Sequence, residues 1–295
     1  MKICLLLGAT FLAVHISIAS EGGPVTFVFN PPEGVTLLKK SSRTTLTRTK
    51  ETHNSPEIET DVQVSLVSFH RAPEGFLQTE VITNIYHTSH NRTYTLPLDK
   101  VFLGRKVDFV LSADGKELVE IKGEENLPQA IESVVGTNHV EDINRNFGNT
   151  ANLDFEKRHW DLFVGRYIGR TITQGDAWKG ERLNSGGTPY SFNATWVRSI
   201  TNTAGSSIVT TFTADSNLRA VIDQIDLAKV SNEEMNKPFQ NIHGGVHFDI
   251  MLSTRAFEAE TMLPVSESRR SIRNEKQSGG IVVIENIQVD SYQRL

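Results

Sequence analysis

The side chains with types and spacing suited to chemistry are two histidine pairs, a few carboxylate pairs and a set of aromatics. His243 and His247 enclose Gly244, Gly245 and Val246. On a helix that spacing would put both imidazoles on one face. Here the glycines and the alternation through Val246, Phe248 and Ile250 indicate a strand. Four residues along a strand span ~13 Å, too far for two ligands of one ion. His87 and His90 flank a polar turn with no third ligand nearby in sequence. No metal site is expected. Glu258 and Glu260 would lie about 7 Å apart on one side of a strand. Glycosidases place two acids at roughly 5–10 Å, so a hydrolase is the competing reading. Acidic residues on the solvated face of an antiparallel strand are the ordinary case, however. Asp154, Glu156 and Asp161 read as the cap and first turns of a helix, where negative charge is favoured. No catalytic residue is assigned.

The chain has no Gly-x-Ser-x-Gly elbow, no Ser-x-x-Lys, no Gly-x-Gly-x-x-Gly, no phosphate loop and no His-Glu-x-x-His. No cofactor is expected. The aromatics Trp160, Phe163, Tyr167, Trp178 and Trp196 would fill a core, or line an apolar cavity if the interior is hollow. The candidate ligand-binding residues are Ile131, Val135, Trp160, Phe163 and Tyr167.

Two helices must position these residues, both within 124–169. Leu127, Ala130, Ile131, Val134 and Val135 share one helical face, as do Trp160, Phe163, Val164, Tyr167 and Ile168. Pro128 suits a first turn, Gly136 an end, and Asp154 a cap for the second helix. Strand-like alternation precedes them over 35–122 and follows over 171–295. Val62, Val64 and Leu66 share a face before a Pro73-Glu74-Gly75 turn, and Leu77, Val81 and Ile85 share one after it. Asp114-Gly115 marks a second hairpin. The stretch 215–229 reads as a short strand, and 266–280 (SESRRSIRNEKQSGG) as a charged, exposed connection.

Residues 1–19 read as a cleaved secretory signal: Lys2, an apolar run, then Ser17-Ile18-Ala19. Residues 20–34, rich in Gly and Pro, read as a flexible leader or single edge strand, and 35–295 as one domain. Cleavage removes one positive charge from a chain of net charge −5, which argues against nucleic acid as a partner. It also removes Cys4, the chain's single cysteine, and with it any disulfide or thiolate chemistry. The expected location is the periplasm or the extracellular space, with no stable membrane anchor. Asn91 and Asn193 begin glycosylation triplets, which carry little weight on their own.

Together, the signal, the strand blocks, the helices and the hairpin Val107-Asp108-Phe109-Val110-Leu111-Ser112-Ala113-Asp114-Gly115-Lys116-Glu117-Leu118-Val119-Glu120-Ile121-Lys122-Gly123 suggest a group. The chain resembles uncharacterised exported bacterial β-proteins and, distantly, the lipoprotein-carrier-like fold of the envelope. The resemblance implies a curved sheet cupping an apolar cavity under helices, and binding of a lipid or other apolar ligand without catalysis. The expected fold is α+β: a mostly antiparallel, curved, half-barrel-like sheet with two central helices packed on it. The alternatives are a secreted hydrolase using a carboxylate pair and a cell-surface structural or interaction protein.

Overall fold

The computed structural model describes residues 23–49, 56–136, 149–183, 189–203, 206–216, 249–277 and 280–295. Residues 1–19, expected to be a signal, the stretches 138–147 and 217–229, and His243 and His247 lie outside them, as does the side chain of Asn193.

Two antiparallel meanders, one from each half of the chain, make the main sheet. The first runs through β2 (Thr36–Arg48), β3 (Glu57–Ala72), β4 (Gly75–Ser89), β6 (Lys106–Leu111) and β7 (Leu118–Lys122), with β5 (Arg92–Tyr94) on the flank of β4. The second runs through β9 (Ala177–Leu183), β10 (Pro189–Thr203), β11 (Ser206–Ser216), β12 (Asp249–Glu258), β13 (Pro264–Gln277) and β14 (Gly280–Arg294). The meanders join where β2 pairs antiparallel with β14, Leu37 opposite Arg294 and Arg48 opposite Val283. The spatial order is β7-β6-β4-β3-β2-β14-β13-β12-β11-β10-β9.

The hairpins form where turn chemistry directs them. Ala72 faces Gly75 across Pro73-Glu74. In the β6–β7 turn, Gly115 takes φ +74°, and Asp114 Oδ1 accepts from the Lys116 amide at 3.0 Å and the Ser112 hydroxyl at 2.8 Å.

Several expectations need correction. The sheet is open and uncurled, with β7 and β9 as ends that do not pair, in place of a half-barrel. Its apolar face is covered by inserted segments, so closure is not needed to bury it. Residues 20–34 are not simply a leader. β1 (Val25–Thr26) pairs with β8 (Thr171–Ile172), and Phe27 and Phe29 are buried in the core. The stretch 266–280 is mostly strand β13, not an exposed connection. In the interior of an antiparallel sheet its charges find cross-strand partners: Glu267 faces Arg255, and Arg270 reaches Glu285 at 2.6 Å. In β3 the buried alternation falls on Ser65, Val67 and Phe69, while Val64 and Leu66 are only half-buried.

Three helices are described: α1 (Asp99–Phe102), α2 (Leu127–Val135) and α3 (Asn149–Phe163), the last followed by a 3-10 turn, Gly165–Tyr167. Pro128 lies in the first turn of α2, and Gly136 ends it at φ +85°. Asp154 is inside α3, because the helix begins at Asn149. The helices do not form a central pair. Leu127 and Ile131 of α2 pack on Leu98, Val101 and Phe102 around α1. Only α3 joins the main core, through Leu153, Trp160 and the neighbouring Val164. Among the described residues no helix is long and apolar enough to cross a membrane.

Candidate functional site

The segment after β1 threads between sheet and helix. The Phe27 amide donates to the Arg170 carbonyl at 3.0 Å, the Gly169 amide donates to the Phe27 carbonyl at 2.8 Å, and the Val28 amide donates to the Ala259 carbonyl at 2.8 Å. With its backbone satisfied, this strip can lie inside the protein. Phe27 meets Phe257 at 5.0 Å and Tyr167 at 5.9 Å; Phe29 meets Phe76 at 4.9 Å and Trp160 at 5.7 Å. These tilted and edge-on contacts are the geometries that aromatic pairs favour. Trp160 is fixed on its polar side too, its Nε1–H donating to the Gly115 carbonyl at 2.9 Å. The 3-10 turn sits tight against the β6–β7 hairpin: a Cβ on Gly165 would lie 2.2 Å from the Lys116 carbonyl oxygen.

A cavity of about 200 Å³ remains between α3 and the sheet. Its apolar wall includes Phe29, Val67, Phe69, Phe109, Trp160 and Phe257. Its polar wall is ionic on the sheet side. Lys39 of β2 donates to Glu80 of β4 at 3.3 Å, and Arg255 of β12 donates to Glu267 of β13 at 2.6 Å. Arg269 reaches the other oxygen of Glu267 at 3.0 Å. Burial opposes the charge on Lys39, but the fields of Glu80, Tyr292 and Asp290 outweigh it and raise its pKa. Burial likewise opposes ionisation of Glu267, and Arg255 and Arg269 overcome it and lower its pKa. Lys39 and Glu267 are therefore ionised at neutral pH.

The helix side is different. Burial, reinforced by Glu124, raises Glu156 to about 7. Burial, helped by Arg269 and Arg255, lowers His159 to about 4 and keeps it neutral. The two stand 3.9 Å apart. Tyr292 of β14, raised by burial to about 12, also stays neutral.

The five candidate residues are distributed unevenly around this cavity. Trp160 lines it. Tyr167 is buried beneath, against Phe27, Trp178 and Phe257. Ile131 is buried in the separate cluster around α1, and Val135 is 40% exposed at the end of α2. The side chain of Phe163 lies outside the described residues. Glu258 accepts from the Thr261 hydroxyl at 2.7 Å, and both oxygens of Glu260 accept from the Ser207 amide at 3.0 Å. Burial would raise Glu260, but that amide outweighs it and holds the carboxyl below its ordinary value. Neither acid lines the cavity. Among the described residues no cluster of three or more His, Cys, Asp or Glu is placed to hold a metal.

His87 sits between two carboxylates, Nδ1 at 2.6 Å from Asp61 and Nε2 at 3.1 Å from buried Asp99. Burial opposes its charge, but the hydrogen bonds to Asp61 and Asp99 prevail and raise its pKa.

The polar wall was missed by patterns that count only apolar residues. Its signal was parity: Lys39 shares the strand face of buried Leu37, and Arg255 shares that of buried Phe257.

No family model matches the chain, and no characterised protein matches it at a significant level. Among solved structures it is similar to one titled "Lipid-protein interactions in lipovitellin". The identity is 13% and the TM-score 0.44, and the match covers 90% of this chain and 25% of that one. The chain thus spans about a quarter of that structure's length. A likeness this distant decides nothing about what the cavity holds.

Proposed function

We propose that the chain is an exported, non-catalytic binding protein that holds one small, largely apolar molecule between α3 and the sheet. The observation that carries this reading is the cavity itself: about 200 Å³, walled by aromatic and aliphatic side chains on one side and by satisfied ion pairs on the other. An apolar cavity of ~150 Å³ takes up benzene, so this one suits a single substituted ring or a short chain. A two-chain phospholipid is too large for it, which narrows the ligand to a small molecule or a lipid fragment. Export is inferred from residues 1–19. The hydrolase alternative loses its support, since Glu260 is held ionised by a backbone amide and not poised as an acid.

The test is native mass spectrometry of the exported protein, purified without detergent. The expected result is a co-purifying small mass that is lost in Val67→Phe, which fills the cavity while keeping an apolar wall. A clean apo mass that stays clean after incubation with benzyl alcohol would overturn the reading.

A further inference from the structure

The cavity's polar groups fall into two sets. Lys39, Glu80, Arg255 and Glu267 are charged, and each is hydrogen-bonded to an opposite charge, with Arg269 on the far oxygen of Glu267. Glu156, Tyr292, Gln78 and Ser266 also line it, and their side chains form no hydrogen bond with another described residue; His159 lines it beside Glu156. What the wall offers a ligand is therefore a carboxyl, a phenol and an amide, with the Ser266 hydroxyl beside them.

From this juxtaposition we propose that the ligand carries an uncharged hydrogen-bonding head, such as an alcohol, phenol or amide, recognised by Glu156, Tyr292 and Gln78. The proposal rests on reading the cavity as a binding site and specifies its ligand class. While Glu156 keeps its proton, a charged head would have to break one of the two ion pairs or be buried without a counter-charge, and both are costly. A carboxylate would also approach Glu80 and Glu267, and an ammonium would approach Lys39, Arg255 and Arg269. A neutral head leaves all of these pairs intact and can hydrogen-bond to Glu156, Tyr292 and Gln78.

The protonation of Glu156 sets when it can donate. The groups around it are Glu124 before α2, Lys39 on β2, Glu80 on β4 and His159 on α3. Glu124 and Glu80 disfavour its ionisation, Lys39 favours it, and burial is the largest influence. Its proton is retained below about 7. Above that value an ionised Glu156 can only accept, and it adds an unpaired charge beside the ligand.

The experiment is calorimetric titration of the exported protein with four probes of one size: toluene, benzyl alcohol, benzoate and benzylammonium. At about pH 6, benzyl alcohol should bind at least about tenfold more tightly than either ion, given the cost of burying an unpaired charge. It should also bind more tightly than toluene. Raising the pH to about 8.5 should weaken benzyl alcohol binding several-fold, and Glu156→Gln, which keeps a donor at every pH, should abolish that dependence. Benzoate or benzylammonium binding as well as benzyl alcohol would overturn the neutral-head proposal and leave the cavity reading standing. So would toluene binding equally well, or Glu156→Gln keeping the pH dependence. Failure of all four probes to bind would overturn the cavity reading itself.

Discussion

Burial holds the Glu156 carboxyl at about 7, whereas the charge on His87 is favoured by two hydrogen-bonded carboxylates against burial. Both pKa values are raised, and both make the fold more stable in acid, for opposite reasons. Glu156 contributes through its neutral form: the contribution is complete below about 4.5 and is lost as pH rises to about 7. At pH values above that, Glu156→Gln should be more stable than the parent by roughly 1–3 kcal/mol, measured by urea unfolding. His87 contributes through its charged form. That stability is full below the ordinary histidine value of 6.5 and is lost as pH rises through the higher folded value. The stability difference between the parent and His87→Gln should therefore shrink steadily above pH 6.5. A difference constant with pH would show that the Asp61–His87–Asp99 contact is not an ion pair. Neither residue could be placed from sequence. Glu156 fits the early turns of an acidic helix, and the partners of His87 are 26 and 12 residues away.

At the scale of elements, β13 shows why composition misleads. Its run of Ser, Glu, Arg and Asn has the look of a solvated loop, but central strands can carry charge when their neighbours supply the counter-charge. Glu285 on β14 is buried between Arg48 at 2.9 Å and Arg270 at 2.6 Å, one from each flanking strand. Glu285→Ala should cost roughly 2–3 kcal/mol in chemical unfolding. That is less than the 3–5 kcal/mol of a fully buried pair, because both arginines reach water. The hairpins were legible because their turn residues act locally: Pro73-Glu74-Gly75 and Asp114-Gly115 need only their own backbone. Gly115 carries a second constraint that no local rule contains. A Cβ there would lie 2.2 Å from the Phe29 ring, so Gly115→Ala meets both a left-handed φ and a clash with the core. It should destabilise by more than the ~1–2 kcal/mol of conformational strain alone, read as a drop in thermal midpoint.

For the molecule as a whole, the antiparallel strand blocks on either side of a helical stretch followed from period-two patterning. The pairing of the blocks did not, since register between distant strands leaves no local mark. Nor did the burial of Phe27 and Phe29, because three nearby prolines suggest a leader and say nothing of the partners that hold the strip. The seam between β2 and β14 is the middle of the sheet. Proline at Asn286 should therefore cost about 3 kcal/mol or more, by losing a ladder hydrogen bond where both flanks are paired. Proline at Val119 on end strand β7 should cost far less. Equal losses in thermal unfolding would argue against the seam as the structural centre.

That seam also sets the order in which the protein can be built. Thr45 hydrogen-bonds to Asn286, 241 residues further along the chain. Each meander can collect its own neighbour-to-neighbour hairpins early, but β2 keeps one bare edge until β14 has been made. Closing so long a loop comes late and slowly, since its entropy is lost before the pairing rewards it. During that interval the edge of β2 away from β3 has no partner and is open to the wrong one. The chain is thus most exposed to misassembly at its future centre, and a chaperone that shields a single strand edge would protect most of the folding pathway.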